Sequence, residues 1–543
     1  MSYYNIMQNA AINLETLNKK ELLDYINKIE TRVKEIETNY KNLKSEHEVL
    51  QEKYDLLIYK RFARSAEQLL ADKKQPLLFD CEEGDAKPKQ SNEEEEFEEV
   101  KSFTRKKKGR KAIDPKIPRR ETIIDIEESE KKCACGADLT RIGEETNEKL
   151  HIEPPRIYVE KTIRPKYACR CCEGTENEEK PAVKIAPVPP SIIPRGIATP
   201  SLLSCIITQK FEDHLPFYRQ EKQFERIMVT ISRQDMSNWQ RQVYDKVRPL
   251  FALLKETLRQ GPVIQMDETS VQVMGEEGRS GTQQSYMWLA RGGPPDKTVV
   301  LYQYRQTRGA YHAKEILEGY SGFLQTDGYA AYDCAFNENK KIIQAGCFAH
   351  ARRKFFEASK VKTRAQTAEE GIKFIKKLYI IESKLRNEFA QDNNDNDAKK
   401  SEKRENFKNE RKKQVLPVFD EFKKWLIKTE AEVPESTLLG KAVSYALNQW
   451  DKLVMYIESP YLTPDNNASE NAIRPFVIGR KNWLFCQSPD GAESSCGMYT
   501  LIQTAKQNGV EPFRYLKALF EKAPFASSQK DWENLLPWNI FNS

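Results

Sequence analysis

Apolar residues near the beginning of the chain recur at alternating spacings of three and four. Between residues 20 and 60 the intervening positions are mostly Lys, Glu and Asn. The apolar stripe consists of Leu22, Ile26, Ile29, Val33, Ile36, Tyr40, Leu43, His47, Leu50, Tyr54 and Leu57. A heptad repeat of this length with charged flanks predicts a coiled coil within residues 1–71, in which His47 is one polar break. The alternative is a single amphipathic helix that packs on its own domain.

The periodic pattern then stops, and residues 72–130 predict a charged linker. Prolines interrupt this segment, residues 93–99 are almost entirely acidic, and a basic run follows. The basic residues are Arg105, Lys106, Lys107, Lys108, Arg110 and Lys111. The net charge of the 543-residue chain is only +6, but its uneven distribution favours a polyanionic partner, so this patch is a candidate DNA contact. The alternative is a solvated charge run.

Residues 131–180 are distinguished by their cysteines, since five of the eleven in the chain lie between positions 133 and 172. Cys169 and Cys172 have the spacing of a zinc knuckle, whereas Cys133 and Cys135 are one residue closer than usual. Residues 157–163 have β-strand character. The pattern predicts a zinc ribbon with these four cysteines as ligands, and the alternative is a reduced, metal-free β module.

The compartment follows from what the sequence lacks. No apolar run reaches the roughly 18 residues that a membrane span needs, and the N-terminus has no basic segment followed by an apolar one. We therefore expect a cytoplasmic protein with no membrane partner. In a reducing compartment, clustered cysteines favour metal binding over disulfides.

Helical spacing returns in residues 190–255. Apolar residues predict two helices, and Thr230-Ile231-Ser232 caps a third, polar helix. Helix, short turn and polar helix are typical of a helix-turn-helix, with Arg233, Asn238 and Arg241 as candidate DNA contacts. Such patterns also occur in helical domains that bind no DNA.

From residue 261 onward the period changes to that of β-strands. Strands are predicted at 263–273, 285–290 and 298–304, followed by a helix at 310–317, a strand ending at Asp327 and another strand at 342–347. This order predicts an α/β fold with an RNase H-like core, in which the first and fourth strands are neighbours.

The remaining boundaries follow from the helical patterns. We expect the catalytic domain to span residues 258–485, with a helical insertion at about 360–460. Within that insertion, residues 391–413 are very polar and are expected to be mobile. Residues 486–543 are expected to form a helical tail.

Three acidic residues stand out in this framework. Asp267 and Asp327 each end an apolar run, and Glu470 falls in the first turns of a helix that Pro475 is expected to end or kink. Carboxylates carried on strands and a helix can hold two hard cations, and such a pair clamps the attacking and leaving oxygens of a phosphodiester.

Each acidic residue also has a structural alternative. Asp267 could mark a strand end, with Glu268 beside it as a competing ligand. The position of Asp327 before a glycine is typical of a turn. Glu470 could pair with Arg474 one helical turn away.

Several motifs carry a family resemblance. They are Asp267-Glu268-Thr269, Thr326-Asp327-Gly328-Tyr329, CFAHARRKF at 347–355, NASENAIRP at 467–475, GRKNWLF at 479–485 and TAKQNGV at 504–510. Together with the coiled coil, cysteine module and helix-turn-helix, these motifs resemble transposases of the insertion sequence 66 family, which carry a DDE-type catalytic triad. The short spacing of Cys133 and Cys135 departs from the usual pair of that family.

The resemblance implies binding of terminal inverted repeats, strand cleavage at the element ends and strand transfer to target DNA. Asp267, Asp327 and Glu470 would be the triad and would bind two Mg²⁺ ions, with Mn²⁺ as a substitute. Basic residues near the triad are candidate phosphate contacts, or an ordinary basic helix surface: His350, Arg352, Arg353, Arg480 and Lys481.

The coiled coil implies at least a homodimer, since two element ends must be brought together. Small accessory transposition proteins are further expected partners of this family. Two other functions remain open from the sequence. One is a nuclease or resolvase on the same fold without strand transfer, and the other is a DNA-binding regulator that has lost catalysis.

Overall fold

The computed structural model describes residues 19–62, 157–168, 183–336, 341–361, 364–390 and 396–542. The chain divides into two compact units, Gly84–Val188 on the one hand and Met1–Glu83 with Pro189–Ser543 on the other. The predicted zinc ligands Cys133, Cys135, Cys169 and Cys172 lie outside the described residues, as do the linker residues Arg105, Lys106, Lys107, Lys108, Arg110 and Lys111.

In the larger unit, helix α1 spans Lys19–Phe62. The described side chains of its apolar stripe are exposed, for example 67% at Leu50. Helix α1 instead contacts the rest of the unit through Glu52, which is buried and accepts a 2.8 Å hydrogen bond from the Leu438 backbone N–H. Arg364 forms an ion pair with the same carboxylate. The predicted helix is confirmed, and its pairing with a second helix stays a prediction.

In the smaller unit, strands β1 (Lys166–Ala168) and β2 (Val183–Ile185) pair antiparallel. The strand expected at 157–163 is wrong, because residues 157–165 form no strand. Tyr158 and Val159 are highly exposed. The β-branched and aromatic residues there bury no face, and packing of one face is what stabilises a strand of such residues.

Four helices precede the large sheet: α2 (Pro200–Phe211), α3 (Phe217–Arg226), α4 (Arg233–Lys246) and α5 (Arg248–Arg259). Ser232 caps α4 in a reciprocal bond pattern with Asp235, which satisfies free backbone N–H groups at the start of the helix. The expected helices are present. Their apolar residues belong to the same core as the sheet, so residues 190–255 share a core with the segment that follows.

The large sheet is mixed. Its strands are β3 (Val263–Val273), β4 (Gln284–Gly292), β5 (Val299–Arg305), β6 (Gly322–Gln325) and β7 (Ile342–Ala345). Their order is β5-β4-β3-β6-β7. Strands β3, β4 and β5 pair antiparallel, whereas β6 and β7 run parallel to β3. The expected adjacency of the first and fourth strands is therefore observed. Helix α6 (Ala310–Ile316) precedes β6, and α7 (Ala330–Phe336) follows it.

A helical segment follows β7: α8 (Phe348–Ser359), α9 (Ala365–Glu388), α10 (Asp397–Glu432), α11 (Leu438–Asn448), α12 (Trp450–Leu453) and a 3-10 helix (Val454–Glu458). These helices have their own hydrophobic core. The expectation of a mobile segment is wrong for residues 397–413, which belong to α10. Arg411 there is fully buried and pairs with Glu382 at 3.3 Å, so polar residues in this helix hold it in place.

The chain then returns to the sheet through α13 (Asn467–Trp483), β8 (Phe485–Cys486), α14 (Pro489–Gln507), α15 (Pro512–Lys522), a 3-10 helix (Ala523–Phe525) and α16 (Gln529–Asn534). Strand β8 pairs with the far end of β3. Pro475 does not end α13, which continues to Trp483. Burial of Phe476 and Gly479 against the sheet core offsets the hydrogen bond that proline lacks.

The C-terminal helices share the sheet's core, so residues 486–543 pack on it rather than forming a separate tail. Within the described residues, no helix is both long and apolar enough to cross a membrane.

Candidate active site

Asp267 lies in β3, and Asp327 follows the end of the adjacent parallel strand β6. Gln265 in β3 is paired with Gln325 in β6, and each aspartate is two residues further along. Since side chains alternate between faces along a strand, Asp267 lies on the same face of β3 as Gln265. Asp267 lies inside β3 rather than at its end, and Asp327 lies two residues beyond β6.

The paired glutamines are themselves a buried polar bridge. The Gln265 amide donates to the Gln325 carbonyl oxygen at 2.9 Å, and the Gln325 amide donates to the Thr463 backbone carbonyl at 2.7 Å. The first bond links the two strands at the position just before the aspartates. The second links them to the segment that leads into α13. Buried amides that are paired in this way fix the relative positions of three chain segments.

Glu470 reaches the same region on the first turn of α13. Just before that helix, the Asn466 side chain donates to the Met266 carbonyl at 3.0 Å, next to Asp267. The Asn466 carbonyl accepts the Glu470 backbone N–H at 3.2 Å. At the other end of α13, Arg480 donates to the carbonyl of Ser270 and, at 3.1 Å, to its hydroxyl. Helix α13 is thus bonded to β3 at both ends, and this brings Glu470 to Asp267.

The electrostatics of the site indicate that the carboxylates interact with one another. Burial raises the pKa of Asp267 well above its usual value, and the nearby carboxylates of Glu268, Glu470 and Asp327 raise it further. Burial also raises the pKa of Glu470, although the Arg353 guanidinium 3.9 Å away counteracts the shift. Buried acids that repel one another in this way are a favourable environment for a divalent cation.

Glu268, considered above as a competing ligand, is occupied by other partners. Its side chain is 2% exposed and pairs with Arg308. It also accepts a 2.6 Å hydrogen bond from the Tyr332 hydroxyl. Arg308 in turn lies 3.8 Å from the centre of the Tyr329 ring, and the Tyr329 backbone N–H donates to Asp327 at 3.1 Å. Arg308 and Tyr332 carry no local sequence signal that links them to Glu268, because they are 40 and 64 residues away.

The basic residues predicted to contact phosphate lie on two helices, α8 and α13, and differ in exposure. Those on α8, His350, Arg352 and Arg353, are half-buried, and His350 Nδ1 lies 3.8 Å from Glu470 Oε1. Arg480 is bonded to β3 as described, whereas Lys481 is exposed. A phosphate contact by any of these residues stays a prediction.

Helix α4 presents the residues predicted to contact DNA from the helix-turn-helix. Arg233 and Arg241 are exposed and Asn238 is half-buried, while Met236 and Val243 on the opposite side are buried. The exposed side is therefore reachable by DNA, and DNA binding through it stays a prediction.

Family models match most of the chain. The model described as "Transposase IS66 family" matches residues 195–494, and "IS66 C-terminal element" matches residues 500–538. "Zinc-finger binding domain of transposase IS66" matches residues 130–173. "Transposase C of IS166 homeodomain" matches residues 49–122.

Curated relatives are similar over most of their length. The uncharacterized protein y4jD of Sinorhizobium fredii is 31% identical over 434 residues, which cover 78% of this chain and 80% of that protein. The uncharacterized protein y4qI of the same organism is 31% identical over 432 residues, with 77% and 76% covered.

The chain folds around a mixed sheet with neighbouring carboxylates, and a transposase family model matches more than half of it. The class of protein is therefore a transposase. The chain belongs to the IS66 transposase family, with a zinc-finger module and a helical N-terminal segment.

Proposed function

We propose that this protein is a DNA transposase that binds the terminal inverted repeats of its element, cleaves the DNA at their ends and joins the ends to target DNA. The observation that supports the proposal most is that the carboxylate of Asp267 in β3 interacts with that of Glu470 on a distant helix and with that of Asp327, in a partly buried, acidic place. The sheet order β5-β4-β3-β6-β7, with its first three strands antiparallel, supports an RNase H-like core.

The donor set fits a pair of Mg²⁺ or Mn²⁺ ions, because carboxylate oxygens are the ligands that these cations prefer. Glu470 Oε1 is buried without a hydrogen-bond donor, as expected of an oxygen that awaits a cation. When bound, the two ions supply activation of the attacking oxygen and stabilisation of the leaving 3′-oxygen in an in-line displacement. This chain's residues would hold the ions, and Arg353 would add positive charge beside Glu470.

The direct test is cleavage of a duplex that carries one element end in Mg²⁺. The wild-type protein should nick the end, and the Asp267→Asn variant should bind the same duplex without nicking it. Precut ends should be joined to a target plasmid by the wild type. Nicking without joining would identify a nuclease instead, and binding without either reaction would identify a regulator.

DNA binding should depend steeply on salt. Phosphate contacts release counterions, so three or four lysine or arginine contacts reduce affinity by roughly 500- to 4,000-fold for each tenfold rise in monovalent salt. A gel-shift titration from low to high salt with the end duplex measures this slope. A flat response would exclude the basic linker and the exposed face of α4 as DNA contacts.

We also propose that α1 pairs with α1 of a second copy, with Cys133, Cys135, Cys169 and Cys172 as zinc ligands in the cysteine module. The heptad stripe on α1 is exposed along its described length, and pairing would bury it. Light scattering should show a dimer that Leu50→Glu weakens, whereas Lys41→Glu on the outer face of the same helix should not. Metal analysis should find about one zinc fewer per chain in Cys169→Ser than in the wild type.

A further inference from the structure

A second set of ligand atoms shares Glu470 with the proposed magnesium site. Cys347 Sγ, a ring nitrogen of His350 and a carboxylate oxygen of Glu470 all lie within 4.8 Å of one another. Cys347 and His350 flank the start of α8, and Glu470 is in the first turn of α13. Among the described residues, neither Asp267 nor Asp327 joins this set.

Two atoms of the set have no partner. His350 Nδ1 and Glu470 Oε1 are both buried without a hydrogen bond, and they lie 3.8 Å apart. The other carboxylate oxygen of Glu470 faces Arg353. Buried polar atoms are nearly always satisfied in native proteins, so an unpaired nitrogen and oxygen directed at each other indicate a missing ligand between them.

The third atom is held in place by the backbone. Cys347 is 1% exposed, and its sulfur accepts a 3.2 Å hydrogen bond from the Asn466 backbone N–H. Burial raises the pKa of the Cys347 thiol, and the Asn466 N–H counteracts part of that shift. The same N–H group orients the sulfur as a ligand. Asn466 is the residue that bonds the α13 segment to β3, so the sulfur is fixed relative to Glu470.

We propose that Cys347, His350 and Glu470 form a binding site for a borderline divalent cation, with Zn²⁺ preferred over Mg²⁺. Sulfur and imidazole nitrogen are ligands of Zn²⁺, whereas Mg²⁺ takes oxygen ligands. The side chains of His350 and Glu470 keep 24% and 11% of their exposure, which leaves a fourth position for water.

Occupancy of this site has a consequence for activity, which rests on the function proposed above. Zn²⁺ would engage the oxygen of Glu470 that the magnesium site requires. Zn²⁺ is therefore expected to inhibit Mg²⁺-dependent cleavage, and an increase in Mg²⁺ is expected to relieve the inhibition.

The first experiment counts zinc and needs no DNA. Full-length protein is equilibrated with Zn²⁺ and analysed for bound metal, with the cysteine module present in every variant. The wild type should hold about one more zinc per chain than Cys347→Ser and than His350→Gln. Cys205→Ser is the matched control, because Cys205 is a free, half-buried cysteine outside the set, and it should hold as much zinc as the wild type.

A spectroscopic arm identifies the ligand. Protein whose cysteine module is already filled with zinc is titrated with Co²⁺, and a sulfur-to-cobalt charge-transfer band should appear in the wild type and in Cys205→Ser. Cys347→Ser should lack the band. Equal zinc counts in all variants with no band in the wild type would overturn the proposal. His350→Gln provides the same comparison if Cys347→Ser does not fold.

The activity arm separates the two proposals. Zn²⁺ should inhibit wild-type cleavage, and Cys347→Ser should need at least about 10-fold more Zn²⁺, since even outer partners of a metal ligand change affinity by about 10- to 100-fold. If the protein has no cleavage activity but the zinc count still falls in Cys347→Ser, the magnesium-dependent function fails and this site stands. If the protein cleaves DNA in Mg²⁺ but the wild type and Cys347→Ser hold equal amounts of zinc, the magnesium-dependent function stands and this zinc site fails.

Discussion

The paired strands β3 and β6 and the returning helix α13 hold acidic side chains by different means. Asp267 and Asp327 are placed by the register of two adjacent strands, which the backbone ladder and the Gln265–Gln325 bond maintain. Glu470 is placed by side chains that bond a helix to β3, chiefly Asn466 and Arg480. The strand pair is therefore held by a backbone ladder. The helix is held by a few side-chain bonds, which single substitutions remove, and by burial of residues such as Phe476.

The first prediction tests whether Glu470 on the helix is as important for catalysis as Asp267 on the strand. Asp267→Asn and Glu470→Gln should each lower Mg²⁺-dependent cleavage by about 1,000-fold or more, because a lost ligand of a catalytic metal removes several kcal/mol of stabilisation of the transition state. End binding should be unchanged in a gel shift. A Glu470→Gln protein that cleaves within about 10-fold of the wild type would show that the helix contributes no ligand.

The second prediction tests the bond that fixes the helix. Asn466→Ala removes the donor to Met266 O, which should misplace Glu470 and lower cleavage by about 10- to 100-fold at low Mg²⁺. A higher Mg²⁺ concentration should recover much of the loss, and this rescue distinguishes a positioning role from general damage to the fold.

Asn482→Ala is the control for that experiment. Asn482 lies in the same helix and makes only a 3.4 Å bond to the Ile478 carbonyl. Its removal should change neither the rate nor the Mg²⁺ dependence. Equal effects from both substitutions would mean that α13 is not held at Asn466 in particular.

The third prediction tests the support on the strand side. Arg308→Met leaves the Glu268 carboxylate buried without its cation, which should destabilise the protein by about 2 kcal/mol, less than for a fully buried pair because Arg308 is 38% exposed. Urea unfolding measures the change. The double variant Arg308→Met/Glu268→Gln should recover most of it, and a double variant no better than the single one would contradict this account.

The fourth and smallest effect concerns pH. The folded pKa values of Asp267 and Glu470 are raised, chiefly by burial. Without divalent cations, the stability that their protonated forms contribute is fully present below the unfolded values near 4 and is lost as pH rises through the folded values. The metal-free protein should therefore be less stable at pH 8 than at pH 5.

Asp267→Asn removes one of these buried charges. It should stabilise the metal-free protein at pH 8 by about 1 kcal/mol and flatten the dependence on pH, as measured by urea unfolding in EDTA. A variant less stable than the wild type at pH 8 would show that the carboxylate makes a favourable contact in the absence of metal.

Local pattern predicted much of the secondary structure in the large unit. The strands that carry or precede the aspartates and the helix that begins at Phe348 are where their periodicity places them. Prediction from local pattern failed where a segment's structure depended on residues far away in the sequence. Residues 157–163 have the β-branched and aromatic residues of a strand but are exposed, and residues 397–413 are polar like a loop but pack through Arg411.

The site divides in the same way. Asp267, Asp327 and Glu470 were predicted from residue type, local context and family resemblance, and the structure brings them together. Arg308, Tyr332 and Asn466 were not predicted as site residues, because their partners are 40, 64 and 200 residues away. No local pattern carries information about such contacts.

The sequence by itself determined the family, the order of strands and helices and the acidic residues to examine, because periodicity and residue type are local properties. Only the tertiary structure decided which oxygen of each carboxylate is free. In the folded protein, Glu268 pairs with Arg308 and accepts a hydrogen bond from Tyr332. Glu470 Oε1 lies beside His350 without a hydrogen bond. The physical reason is that hydrogen bonding and burial are set by all the elements that meet at a point, and here those elements are separated by up to 200 residues.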